Sequence, residues 1–281
     1  MSSSARVPFL AIGHMARDEF PDGRWRLGGS ALYGAATAAK LGADVTLVTR
    51  VGPTERSALE TLCGELGITV RVLPGAATTT FGFSYDGAGH RSLYLRARAA
   101  PITRAEVGRG VGIPKAVLLA SIAGELDDSL FAPWSGAMRV LAAQGLLRSF
   151  GPAGLVRPSP WAQYARLLRK VDAVVVSEDD QADVPAWLPY ATVVVTKAER
   201  GAELHTRGDL FAVPAFRVPE VVDQTGAGDA FAAALALGLA ERRPLAEAAS
   251  FASAAASFAV EGLGMARLAD RTRVRARMRA R

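Results

Sequence analysis

The chain has 281 residues, half of them hydrophobic and 7% aromatic, with a formal net charge of +6. That length and apolar content allow one large α/β domain with a sizeable core. No apolar run is long enough to span a membrane, and the N-terminus lacks the apolar stretch of a signal peptide, so a cytoplasmic protein without a membrane partner is expected.

A single cysteine, Cys63, excludes an internal disulfide. The six arginines within residues 271–281 account for the whole charge excess. With no aromatic residues interleaved, they read as a frayed, solvated helix rather than a nucleic-acid surface.

In chain order, residues 7–13 read as a buried parallel strand. Residues 19–27 read as a short hairpin around Pro21-Asp22-Gly23. Gly28-Gly29 then opens a helix that ends near Leu41-Gly42. A strand over 43–52, a helix over 54–67 capped by Thr54, and a strand over 68–73 follow. This alternation predicts an α/β fold with a mostly parallel sheet covered on both faces.

Residues 78–85 and 91–97 break the alternation and read as a half-exposed hairpin across Asp86-Gly87-Ala88-Gly89, with His90 facing solvent. Further strands are expected over 115–121, 145–150, 172–177 and 191–196, with a helix over 126–143. Short strands then flank the turn Arg207-Gly208-Asp209, and His205 is expected at an edge. An Ala- and Ser-rich helix occupies 245–260. The chain has no G-x-x-x-x-G-K-[ST] loop, no zinc-type cluster, and no G-x-G-x-x-G after its first strand.

The most informative stretch is Val221-Val222-Asp223-Gln224-Thr225-Gly226-Ala227-Gly228-Asp229-Ala230-Phe231. Two valines read as the end of a buried strand. A turn of small residues then feeds an alanine- and leucine-rich helix, which leaves backbone N–H groups aimed outward at its positive end. Such a turn holds an anion such as a phosphate. Asp229, in the first helical turn, lies beside that anion and can take a proton from an attacking hydroxyl.

This run resembles the C-terminal signature of the ribokinase family, also called the PfkB carbohydrate kinases, and the remaining segments follow the family's order. The resemblance implies a ribokinase-like three-layer αβα sandwich, a single domain over residues 1–281, with a small β lid from about 15–27 and 78–98. It implies phosphoryl transfer from ATP, with Mg²⁺, to a hydroxyl of a sugar or cyclitol. Asp229 would be the base, and the N–H groups of Gly226, Ala227 and Gly228 the anion hole.

The same resemblance places Asp18, Gly28 and Gly29 against the acceptor, although on spacing alone Asp18 reads as an exposed loop residue. Tyr33 stands where the family often has Asn, which brings the chain nearer to cyclitol kinases such as myo-inositol kinase. Ser177 and Asp180 fall on the family's Mg²⁺-ordering motif, and Thr196 and Gly201 on its ATP-contacting turn. Ser253 and Ala256, with Ala252, would leave room for adenine, or simply allow close helix packing. Asp223 and Thr225 match the family's K⁺ site. A homodimer paired through the lid edge is a further implication. Two alternatives remain: a nucleoside kinase with Tyr33 stacked on the base, and a binding protein without catalysis.

Overall fold

The computed structural model describes residues 6–85, 91–132, 134–180 and 182–280. In the first strand, β1 (Pro8–Ile12), Phe9 and Ala11 face one core cluster while Leu10 and Ile12 face another, and all four are buried. A strand apolar on both faces belongs in the middle of a covered sheet.

The central sheet runs in the order β15-β14-β13-β12-β9-β8-β1-β4-β5. Its parallel part comprises β1, β4 (Asp44–Val51), β5 (Thr69–Pro74), β8 (Ala116–Ala120), β9 (Met138–Ala142), β12 (Ala173–Ser177) and β13 (Thr192–Thr196). An antiparallel hairpin, β14 (Ala202–His205) and β15 (Leu210–Val213), finishes one edge. From β1 the chain builds first toward β4 and β5, then toward β8 and beyond. The strand order therefore reverses beside β1, where open α/β sheets bind ligands.

A second sheet, ordered β3-β2-β6-β7, stands at the expected lid segments. It holds β2 (Ala16–Glu19), β3 (Trp25–Gly28), β6 (Thr79–Tyr85) and β7 (Arg91–Ala97). β10 (Arg148–Phe150) and β11 (Val156–Pro158) form a small hairpin whose Phe150 and Val156 pack beneath that sheet.

One face of the central sheet is covered by α1 (Ser30–Lys40), α2 (Pro53–Glu65), α6 (Ala227–Ala240), α7 (Leu245–Ala259) and α8 (Arg271–Arg279). The other face has only short helical pieces, α3 (Arg104–Val107), α4 (Tyr164–Leu167) and α5 (Val184–Trp187). Bulk there comes from Trp134, Trp161 and Trp187, all buried, with the last two edge-to-face at 5.8 Å between ring centroids. Among the described residues, no helix is long and apolar enough to cross a membrane.

Several sequence expectations are corrected. Residues 126–143 hold a short turn at Asp128–Phe131 and then β9, not a helix. The segment Met-Arg-Val-Leu-Ala is helix-compatible, but it is inserted between β8 and β12, and tertiary packing overrides propensity. Within 145–150 only Arg148–Phe150 is strand. Val221 and Val222 are half exposed and lie outside any strand. Helix α2 starts one residue before Thr54, on Pro53 with Gly52 as cap. His205 lies on β14, which is paired on both sides, so β15 is the edge. The 86–89 turn and His90 lie outside the described residues.

The arginine-rich tail is a docked helix rather than a frayed one. Asp270 caps α8 and Val274 is buried. Arg271 donates to the Leu41 carbonyl (2.8 Å) and pairs with Glu241. Arg277 pairs with Glu261 (2.6 Å) and lies 3.4 Å over the Phe258 ring. The arginines make a seam because their stems and guanidinium planes cover apolar surface.

Candidate active site

The C-terminal ends of β1 and β8 open toward the second sheet. After Ile12 the chain crosses through Gly13, His14 and Met15 into β2, which carries Asp18. Asp18 is buried rather than on an exposed loop. It is paired in register with Arg26 on β3 and Phe81 on β6. Its carboxylate lies against Gly28, where a Cβ would overlap it. Gly29 caps α1 at φ 95°, and a Cβ there would come 2.8 Å from both Ala16 N and His14 O. The Gly-Gly pair thus lets the start of α1 press against the crossing below Asp18.

Four residues into α1 is Tyr33, 1% exposed. Its ring lies under Gly226, where a Cβ would overlap it. The buried ring offers no face for a nucleobase. Its hydroxyl is buried with no hydrogen-bond partner among the described residues. Burial pushes it up to about 12, with Asp18, Asp223 and Asp229 adding and Arg26 opposing.

Gly226 sits at φ 84°, ψ −2° as the N-cap of α6. Its left-handed backbone turns the preceding loop into the helix. Ala227 N donates to the Gln224 carbonyl at 3.3 Å, so that N–H is engaged in its own turn. The N–H groups of Gly226, Gly228 and Asp229 make no such bond among the described residues. Expected as an anion hole of 226, 227 and 228, the turn offers its unengaged donors at 226, 228 and 229 instead.

Asp229 stands in the first turn of α6, near the Ser30 side chain. Burial raises its carboxyl above the usual carboxylate range; Ser30 and Arg148 oppose this, and Asp180 adds to it. Asp180 is raised too, first by burial, and its Oδ2 accepts from Ser177 N at 2.8 Å. Ser177 ends β12 beside Thr196, which ends β13. Among the described residues, no group of three or more His, Cys, Asp or Glu side chains could hold a metal ion.

The expected nucleotide side is more closed than the sequence suggested. The Thr196 hydroxyl donates to the Val176 carbonyl at 3.2 Å. Gly201 closes the β13–β14 turn, accepting from Lys197 N at 2.7 Å. Ser253 is buried and donates to the Pro214 carbonyl at 3.2 Å, while Ala256 packs against the core. The Ser253 hydroxyl is thus engaged in packing against the segment before the α6 loop.

Asp223 is held differently from the expectation. Its Oδ2 accepts from Arg26 Nη1 at 2.7 Å and from Gly264 N at 3.4 Å, and its Oδ1 accepts from Thr225 N at 2.9 Å. Oδ2 thus has both lone pairs engaged, and a guanidinium stands against Asp223 where a K⁺ was expected.

The sequence reading missed Arg26, Arg148 and Ser30. Arg26 was recoverable: counting outward from the Pro-Asp-Gly turn sets it opposite Asp18. Arg148 stands on a hairpin that the sequence does not announce, donates to the Ile122 carbonyl at 3.1 Å, and its charge opposes the rise at Asp180 and Asp229.

A family model described as pfkB family carbohydrate kinase matches residues 16–271. The chain is 28% identical to an inositol 3-kinase of Arabidopsis thaliana over 213 residues, 69% of this chain; it spans 58% of that protein's length. A pyrophosphate-dependent kinase in the ribokinase family, complexed with a pyrophosphate analog and myo-inositol, matches with a TM-score of 0.79 at 22% identity. That match covers 95% of this chain and 99% of the other. The Arabidopsis thaliana ribokinase complexed with ribose and ATP matches at 0.77 and 20% identity, over 98% and 99% of the two chains. The fold is therefore ribokinase-like.

Proposed function

The chain belongs to the pfkB family of carbohydrate kinases, and on that premise we propose that it transfers the terminal phosphoryl group of ATP to a hydroxyl of a sugar or cyclitol. The observation that carries this reading is the pairing of Asp229 with unengaged N–H groups at the same helix start. The acceptor O–H would give its proton to Asp229 as its oxygen bonds to phosphorus and the bond to the leaving ADP breaks. Ser30 would hold the carboxylate in place, and the donors at 226, 228 and 229 would face the charge on the transferring oxygens.

Mg²⁺ fits the chemistry of the donor side, because burial holds the carboxyls of Asp180 and Asp229 above their usual range, with Asp179 adding at Asp180 and Asp180 adding at Asp229, and a cation would relieve both. Asp180 and Ser177 would order its waters, and the ion would neutralise charge on the phosphates.

Asp18, Gly28 and Gly29 would orient the acceptor, and the unpartnered Tyr33 hydroxyl would gain a partner from it. We favour a cyclitol, in line with the inositol 3-kinase relative. A nucleoside stacked on Tyr33 is disfavoured by the ring's burial beneath Gly226. The test is product release from ATP, and from pyrophosphate, over inositols, pentoses, hexoses and nucleosides. Turnover on a polyol supports the reading; turnover on nucleosides alone contradicts it.

A further inference from the structure

The ion pair between Arg26 and Asp223 joins residues 197 positions apart and ties the second sheet to the loop that feeds the anion hole. Its guanidinium and carboxylate side chains are 25% and 15% exposed. Beyond Asp223 the loop is pinned by Val222 N and Asp223 N, both donating to the Val260 carbonyl (2.8 and 3.3 Å). Three residues later comes Gly226, seated on Tyr33. Arg26 therefore bears on the geometry of the anion-hole turn without reaching the reacting atoms.

We propose that Arg26 is a tethered counter-cation for Asp223: a positioning residue on the second sheet that does the work of a diffusible monovalent cation and makes the protein indifferent to K⁺. The inference rests on the kinase reading for its rate arm and on the geometry alone for its stability arm. The guanidinium already supplies a positive charge to Asp223 and, with Gly264 N, engages both lone pairs of Oδ2, so a K⁺ ion on that oxygen would first have to displace it. Displacing a partly buried, charge-assisted contact is unfavourable when the incoming ion offers no directional bond. The buried Arg26 Nε has no partner among the described residues.

The test uses the full chain, with rates and ligand-free Tm measured in potassium, sodium and tetramethylammonium chloride at one ionic strength. The wild type should show the same rate and the same Tm in all three. Arg26→Ala should lose kcat on the order of ten- to a hundred-fold, the scale of one charge-assisted hydrogen bond. Methylguanidinium should restore part of that loss and urea should not. Arg26→Lys should keep most of the rate and stay indifferent to K⁺. A wild-type rate or Tm raised by K⁺ overturns the proposal, as does an undiminished kcat in Arg26→Ala. If no acceptor turns over, the kinase reading fails and the thermal arm still decides. There, an unchanged wild-type Tm with a lowered Arg26→Ala Tm upholds the latch, and a K⁺-raised wild-type Tm removes it.

Discussion

As the proposed base, Asp229 would have to be ionised to accept a proton, and its surroundings resist ionisation: burial lifts its carboxyl above the ordinary aspartate value, against the pull of Ser30 and Arg148. A base raised toward the working pH takes a proton more readily in the transition state. The acid limb of kcat should accordingly follow one group with a pKa above 3.8. The same shift fixes a sign for stability. A folded pKa raised above the unfolded one gives stability that is full below the unfolded pKa and lost as pH rises through the folded pKa. Asp229→Asn should therefore raise Tm at neutral pH, and the gain should vanish on acidification; a lowered Tm at neutral pH would show that the carboxylate stabilises the fold. Tyr33→Phe separates binding from folding. The buried hydroxyl lacks a partner, so its removal should leave Tm unchanged or higher while acceptor KM rises by roughly tenfold, the worth of one hydrogen bond to a ligand. An unchanged KM would remove Tyr33 from the acceptor contacts. At this scale the motif residues 223–229 were legible, because a small-residue turn ahead of an alanine-rich helix has a local meaning. Arg148 was not, since its effect on Asp180 and Asp229 depends on where a remote hairpin packs.

At the scale of elements, α8 departs most from what its composition suggests. Six arginines in eleven residues look like a solvated tail, yet Arg271 and Arg277 pair with acids on the α6–α7 unit and lie over Phe251 and Phe258. Burial of Val274 fixes which face turns inward. Partly exposed pairs contribute little each, but ring stacking adds to them. Arg277→Ala should cost about 1–2 kcal/mol, lowering Tm by roughly 2–4 °C per kcal/mol in a chain of this size. Scanning calorimetry reading no change would return the helix to a solvated role. Local pattern also failed at β9, where alanine, leucine and methionine suit a helix and only the gap between β8 and β12 makes a strand. The first strands were legible because β1 is apolar on both faces and β4 alternates, with Val45, Leu47 and Val51 on one buried face.

For the whole molecule, alternation of strands and helices gave the class of fold, while the strand order, with its reversal beside β1, arises only from packing. That reversal brings residues 18, 33 and 229 to one mouth. Among the described residues, two ion pairs hold the second sheet to the core: Arg17 with Glu55 (2.8 Å) on one side and Arg26 with Asp223 (2.7 Å) on the other. The Asp223 carboxyl is held below its usual range by hydrogen bonds from Thr225 and Arg26 that outweigh burial. A depressed folded pKa gives stability present above the unfolded pKa and lost as pH falls through the folded one. Acid should therefore loosen the β2–β3 edge before the central sheet. Hydrogen exchange below pH 3.8 should show β3 protection falling while β1 and β8 stay protected; simultaneous loss in all three would place the second sheet in the same cooperative unit as the core.

The measurement that bears most directly on the central claim is product release from ATP over the acceptor panel, run on the wild type and on Asp229→Asn. Turnover on a cyclitol or sugar that falls by roughly 10²–10⁴ in the variant is the result expected of a general base. Turnover that survives in Asp229→Asn would contradict the mechanism.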